Sequence, residues 1–194
     1  FAGGVPWHYP LRAQNHFLPD LSAIPADVLA RARILWVNYP NSPTGCLAPD
    51  ALFEDLVAFA ARHDLILASD EAYSEIWFDG KPRSVLEFGR EGVVVFQSLS
   101  KRSAMTGYRV GWMAGDARIV SAFKKLKTNI DSGTPTFIQD AAVAALADET
   151  HVDAMRDTYR ARRDILVPAL RDVGCAIEGP QATLYVWPQA PGNL

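Results

Sequence analysis

Two cysteines in 194 residues are too few for a disulfide framework. Cys46 and Cys175 have no metal-binding or redox spacing, so they read as free thiols in a reducing compartment, or at most as one pair. Basic charge is not in excess. There are 19 Lys and Arg against 22 Asp and Glu, a net charge of −3, and the signs are interspersed. Binding to phosphate backbones needs a clustered basic surplus, which argues against nucleic acid as the main partner. No apolar run approaches the roughly 20 residues that cross a bilayer. The first residues do not read as a secretory leader. The expectation is a cytoplasmic protein with no membrane partner. The histidines, His8, His16, His63 and His151, show neither metal spacing nor a partner for a serine triad. No internal repeat or low-complexity segment occurs.

The apolar fraction is 49%, enough for a sizeable core, and the length suits one domain or one and a half. The sequence opens on Phe1-Ala2-Gly3-Gly4, without a methionine, and closes soon after a strand-like run. It reads as the central piece of a longer chain. Residues 1–32 are rich in Pro and Gly and read as loop, with one short helix near 26–33. Ile34-Leu35-Trp36-Val37, Leu65-Ile66-Leu67-Ala68 and Val93-Val94-Val95-Phe96 are short apolar runs, expected as buried strands. Val110 to Ala114 is another short apolar run. A helix is expected over 49–63, with Leu52, Phe53, Leu56, Phe59 and Ala60 as its stripe. Residues 116–127 read as a helix, and the alanine-rich stretch 135–147 as a core helix. Residues 152–173 read as a long charged helix kinked at Pro168. Leu184-Tyr185-Val186-Trp187 is expected as a final strand. This order predicts an α/β fold with a mostly parallel, covered sheet.

In such sheets ligands bind beyond the carboxyl ends of the strands. Asn41 and Ser42 follow the first strand, Asp70 and Tyr73 the second, and Ser98, Ser100 and Lys101 the third. Arg109 can return to the same edge before the next run. A lysine just past a buried strand is not where solubility would place one. In a partly desolvated pocket it can form an imine with a carbonyl. An aldehyde cofactor with a pyridine nitrogen, a phenolic oxygen and a phosphate would use every group in this set. Asp70 suits the pyridinium N–H. Tyr73 and the Asn41/Ser42 turn suit the phenolate, and Arg109, Ser98 and Ser100 suit the phosphate. That description fits pyridoxal 5′-phosphate. Taken singly, Asp70 could cap a helix, Asn41 could be a turn residue and Arg109 a structural ion pair. The joint order and spacing carry the reading. Ser98-Leu99-Ser100-Lys101 also matches the S-x-x-K of penicillin-recognising hydrolases, but the companion S-D-N and K-T-G motifs do not occur.

Three stretches, Asn38-Tyr39-Pro40-Asn41-Ser42-Pro43-Thr44-Gly45, Ser69-Asp70-Glu71-Ala72-Tyr73 and Ser98-Leu99-Ser100-Lys101-Arg102 through Thr106-Gly107-Tyr108-Arg109, together resemble the class I/II (aspartate-type) aminotransferases. The resemblance covers essentially the whole chain. It implies the fold type I architecture of pyridoxal-phosphate-dependent transferases. The large domain would be a mostly parallel sheet with helices on both faces, over 1–150 here and lacking its N-terminal part. The start of a smaller α+β domain would occupy 151–194. It further implies that Lys101 carries the cofactor and shuttles the proton, with Asp70 on the ring nitrogen and Tyr73 on the ring oxygen. Ser98 and Arg109 would bind the phosphate, with Ser100 nearby. The expected reaction is ping-pong transfer of an amino group from an amino acid to a 2-oxo acid, by a homodimer.

The sequence departs from the family pattern in places. The family has asparagine directly before P-T-G, whereas Ser42 stands here, so either its hydroxyl substitutes or Asn41 reaches in. The family's glycine-containing phosphate loop, its aromatic stacking residue and its carboxylate-binding arginine do not occur, so weak cofactor binding and no turnover are expected of this piece alone. Phe1-Ala2-Gly3-Gly4, Pro10-Leu11, Phe17-Leu18-Pro19-Asp20 and Ser100-Lys101-Arg102-Ser103 with Met105-Thr106-Gly107 resemble the LL-diaminopimelate or N-succinyldiaminopimelate branch. A β-elimination lyase on the same scaffold, or a non-catalytic aminotransferase-like binding module, are the alternatives. Amine transfer to a 2-oxo acid, against release of pyruvate and ammonia from a β-substituted amino acid, separates the aminotransferase from the lyase.

Overall fold

The computed structural model describes residues 3–192. Phe1 and Ala2, part of one of the resembling stretches, lie outside the described residues. Strands β1 (Ile34–Asn38), β2 (Ile66–Asp70), β3 (Val93–Ser98) and β4 (Gly111–Gly115) form one sheet in that order. The first three run parallel, and β4 is antiparallel to β3. The apolar runs are therefore strands, and the sheet is mostly parallel.

Side-chain alternation splits β1 between two environments. Leu35 and Val37 point into a core, while Ile34 and Trp36 point away. Helix α2 (Asp50–Arg62) lays Leu52, Phe53, Leu56 and Ala60 on Leu35, Val37, Leu67, Val93 and Val95. Burying side chains such as Phe53 and Leu56 contributes roughly 1.5–3 kcal/mol each. Pro49 precedes α2 in an extended conformation rather than occupying its first turn. The short α1 (Ala26–Leu29) precedes β1.

On the opposite face Trp36 stacks on Phe96 at 5.2 Å, and Phe96 meets Phe123 edge-on at 6.5 Å. Phe123 belongs to α4 (Ala117–Ile130), so helices lie on both faces. Coverage on this side is partial, since Trp36 remains 53% exposed. Asp116 caps α4, accepting N–H bonds from Gly92 and Arg118, both at 2.8 Å. The Arg118 guanidinium and these N–H groups hold its carboxyl well below the usual range. Helix α5 (Thr136–Leu146) was expected in the core, but it buries only Ala142 and leaves Phe137 and Val143 exposed. Its apolar residues surround the helix, and among the described residues only the Ala142 side meets a neighbour.

Helix α6 (Thr150–Asp172) runs on past Pro168 and buries Val152 and Val167. Its arginines dock it. Arg156 lies 4.3 Å over the Trp77 ring and donates to the Glu75 carbonyl at 3.1 Å. Arg163 lies 4.5 Å over Phe78 and pairs with Asp79 at 3.5 Å. Such stacking attracts a cation to the ring face.

Residues 184–187 do not form the expected strand. Isolated bridges join Ala182 to Trp77 and Ala176 to Gln189, and no described strand lies beside 184–187. The segment is held instead by the turn after β1. Gln181 and Ala182 N–H groups donate to the Gly45 carbonyl at 3.1 and 3.0 Å. Gly45 has φ +74°, and a Cβ there would sit 2.5 Å from the Pro180 Cβ. Glycine is needed twice over, for the left-handed backbone and for the close approach. No helix among the described residues is long and apolar enough to cross a membrane. Gly45→Ala should loosen 180–183, because the left-handed conformation alone costs roughly 1–2 kcal/mol with a Cβ present. Hydrogen exchange at Gln181 and Ala182 should quicken by about tenfold, and unchanged protection would contradict this docking.

Candidate active site

The strand register collects the polar residues. Asn38 stands beside Asp70, Asp70 beside Phe96 and Phe96 beside Met113. Ser98 at the end of β3 stands beside Gly111 at the start of β4. One sheet edge therefore receives the turn after β1, the turn after β2, the lysine segment and Arg109. Asp70 shares its face with Phe96. Its neighbour Glu71 is buried at 2% exposure.

Asn38 ties the first two strand ends together. Its side-chain amide donates to the Asp70 carbonyl at 3.0 Å and accepts from the Ser42 N–H at 2.8 Å. The Asn41 side chain is spent inside the turn. It donates to the Asn38 carbonyl at 3.2 Å and accepts from the Thr44 hydroxyl at 2.6 Å. Ser42, half-buried, is left to face the Tyr73 phenol. Asp70 accepts from the Ala72 N–H at 3.1 Å, which orients its carboxylate.

Tyr73 is buried, with its hydroxyl 3.0 Å from that of Tyr185. Burial pushes the Tyr73 phenol up to about 12, and the Ser42 hydroxyl partly offsets this. The Lys101 Nζ lies 5.8 Å from the centre of the Tyr73 ring. Lys101 sits on α3 (Leu99–Arg102), a single turn that Ser98 caps by accepting the Ser100 N–H at 3.1 Å. This leaves the Ser98 O–H as a donor. Arg102 is buried and anchors the turn. It donates to Ser103, to the Ala145 carbonyl at 3.0 Å and to the Glu149 carboxylate. The Thr106 hydroxyl donates to the Ser100 carbonyl at 3.2 Å. Arg109, at φ 53°, donates to the Thr106 carbonyl at 2.9 Å. The lysine turn is thus fixed from both sides.

The charges around this edge are uncompensated. Arg83, Arg102, Arg118, Arg156 and Arg163 each pair with a carboxylate. Among the described residues Asp70, Lys101 and Arg109 enter no ion pair. An acid on one side and two cations with hydroxyls on the other complement a ligand that carries a protonated ring nitrogen at one end and a phosphate at the other. The residues present therefore fit pyridoxal phosphate. A cleft of about 1370 Å³ on this face is lined by Trp36, Asn38, Asp70, Phe96 and Ser98, among others. Among the described residues no group of three or more His, Cys, Asp or Glu could hold a metal ion.

The sequence reading singled out Asp70, Tyr73, Ser98, Ser100, Lys101 and Arg109, and the structure sets them along one edge. It brings Ser42 there too, but commits the Asn41 amide to the turn. Asn38, Glu71, Arg102 and Tyr185 were missed as contributors. Asn38 closes the β1 run in register with Asp70, a signal available once the strands are paired. Tyr185 had no local signal.

The architecture is that of fold type I aminotransferases, as the likeness to Thermus thermophilus aspartate aminotransferase shows (TM-score 0.86, 30% identity, 94% of this chain and 49% of that one). The chain belongs to the aminotransferase class I and II family, whose model matches residues 1–193. It is 49% identical over 197 residues to LL-diaminopimelate aminotransferase 2 of Trichormus variabilis, covering 99% of this chain and 50% of that protein. The chain spans about half the length of the curated relatives it matches. Substrate-bound BacF from Bacillus subtilis superposes with a TM-score of 0.91 at 33% identity, over 97% of this chain and 49% of that one. A probable N-succinyldiaminopimelate aminotransferase from Thermus thermophilus gives 0.89 at 31%, over 97% and 51%.

Glu71 yields a test of the packing behind Asp70. Its carboxyl accepts from Ser69 at 3.2 Å and from the Val85 N–H at 3.0 Å. Burial raises its pKa, and these donors offset only part of the shift. A raised acid binds a proton in the folded state that the unfolded chain has already lost. Stability therefore falls as pH rises from the ordinary glutamate value through the raised one. Glu71→Gln should abolish that slope, measured as urea midpoints across this interval. An identical slope in the variant would refute the assignment.

Proposed function

We propose that the protein is a pyridoxal-phosphate-dependent aminotransferase that moves an amino group from an amino acid to a 2-oxo acid by a ping-pong mechanism. The observation that carries this reading is the set of unpaired charges, Asp70 against Lys101 and Arg109, on one sheet edge. When bound, the cofactor supplies an aldehyde that accepts and returns the amino group, and a ring that withdraws electrons. Asp70 holds the ring nitrogen. Tyr73 and Ser42 donate to the ring's phenolic oxygen, while Asn41 keeps the turn closed. Ser98, Ser100 and Arg109 take the phosphate, where a guanidinium and hydroxyls form charge-assisted bonds. Lys101 would hold the aldehyde before substrate arrives and, once the substrate's amine has displaced it, would move a proton at the substrate α-carbon.

The names of the relatives support a diaminopimelate-type amino acid as substrate. We place residues 1–150 in the large domain and 151–194 at the start of the small one. The working form is a homodimer in the cytoplasm. The lysine assignment is checked by borohydride reduction of the loaded, full-length protein, followed by peptide mapping. The label should fall on Lys101, and Lys101→Ala should lose both label and transamination; a label elsewhere refutes the assignment. Asp70→Ala should weaken cofactor binding by about tenfold to a hundredfold, because a hydrogen bond to a charged group contributes roughly 1.5–3 kcal/mol. Equilibrium titration with the cofactor reads this directly.

A further inference from the structure

Tyr185 comes from the far end of the chain yet touches the tyrosine whose ring lies beside Lys101. Its hydroxyl is 3.0 Å from the Tyr73 hydroxyl, and the rings meet edge-on at 5.7 Å and 65°. Its position is fixed by a short closed circuit of bonds. The Tyr185 N–H donates to the Thr183 hydroxyl at 3.2 Å. Thr183 is buried, and its N–H donates to the Ile76 carbonyl at 2.8 Å. The Ile76 N–H in turn donates to the Tyr73 carbonyl at 2.9 Å. The two tyrosines are therefore held by one another's backbone neighbours, not only by their rings.

A phenol has one proton to donate. Either tyrosine can be the donor in the bond between them. If Tyr73 gives its proton to Tyr185, it has none left for a ligand in the site. We propose that Tyr185 is a positioning residue, whose hydroxyl donates to the Tyr73 oxygen and thereby aims the Tyr73 O–H at the phenolic oxygen of the bound cofactor. This rests on the function proposed above and extends it to a residue that does not itself touch the cofactor. Burial gives the arrangement its force, since Tyr73 is only 8% exposed and water does not readily replace the lost partner. Asp70, Lys101 and Tyr185 are the titratable groups that face Tyr73 among the described residues.

The test uses the loaded full-length protein with Tyr185→Phe, Tyr73→Phe and the double variant. Phenylalanine keeps each ring and removes only the hydroxyl. The readouts are the pH midpoint of the cofactor's visible absorbance and the dissociation constant of the cofactor, neither of which needs turnover. A hydroxyl that donates to the phenolic oxygen stabilises its negative charge and so favours the deprotonated form of the chromophore. Tyr185→Phe should therefore raise the midpoint by roughly half to one pH unit, the worth of one neutral hydrogen bond. In the double variant it should add nothing to the effect of Tyr73→Phe, because Tyr185 acts through Tyr73. An unmoved midpoint, a midpoint that falls, or an effect that adds to that of Tyr73→Phe each overturns the proposal. Borohydride labelling separates the two levels. With Lys101 labelled and the midpoint unmoved, only the role of Tyr185 falls; with Lys101 unlabelled, the proposed function falls and takes this role with it.

Discussion

The register of the sheet is the constraint on which everything else depends. Asn38, Asp70, Phe96 and Met113 stand side by side across the four strands. Because the three parallel strands end near one line, whatever follows each apolar run is delivered to the same edge. The antiparallel β4 starts at that edge, so the residues just before it, including Arg109, arrive there from the other direction. A slip of one residue in β2 would exchange the faces of Asp70 and Glu71. The carboxylate that faces the cleft would enter the core, and the carboxyl that now accepts from Ser69 and Val85 would lose both partners. The packing of Leu67 against α2 is what forbids that slip.

The protein treats its charges in two ways, and the contrast separates scaffold from site. Glu71 and Arg102 are buried, and each has hydrogen-bond partners that offset desolvation. Burying either without those partners would cost several kcal/mol. Asp70, Lys101 and Arg109 are left half-buried or exposed and outside any ion pair among the described residues. Water tolerates such charges at little cost, yet a ligand with complementary charges can collect all three. Arg102 and Lys101 are sequence neighbours with opposite assignments. The arginine binds Glu149 and the Ala145 carbonyl, so the lysine can stay uncommitted.

Much of this was legible in the sequence, and the misses have physical causes. Short apolar runs and the α2 stripe report directly on burial, so the strands and that helix could be read. The site edge followed, because the chemistry-bearing residues come right after those runs. What failed depended on partners distant in sequence. Residues 184–187 have the composition of a strand, but a strand needs a neighbour to pair with. The alanine-rich α5 has apolar residues all round, so its composition could not say which side, if any, would be covered. Asn41 and Ser42 were equivalent candidates until the hydrogen bonds showed the Asn41 amide occupied by Asn38 and Thr44. Tyr185 lay beyond any local pattern, since its role is defined by a contact with Tyr73.

The turn after β1 links the two ends of the described chain. Its Asn38 end is bonded to Asp70, and its Gly45 end accepts N–H bonds from Gln181 and Ala182. The same C-terminal segment bonds Thr183 to Ile76 and places Tyr185 against Tyr73. Backbone hydrogen bonds of this kind contribute about 1 kcal/mol each. A handful of them holds the 180–185 segment, against the interlocked apolar contacts that hold β1 to β3 on α2. The sheet therefore sets where Asp70 stands, and the attachment of 180–185, with Ala182 and Thr183 buried, sets where Tyr185 meets the Tyr73 hydroxyl.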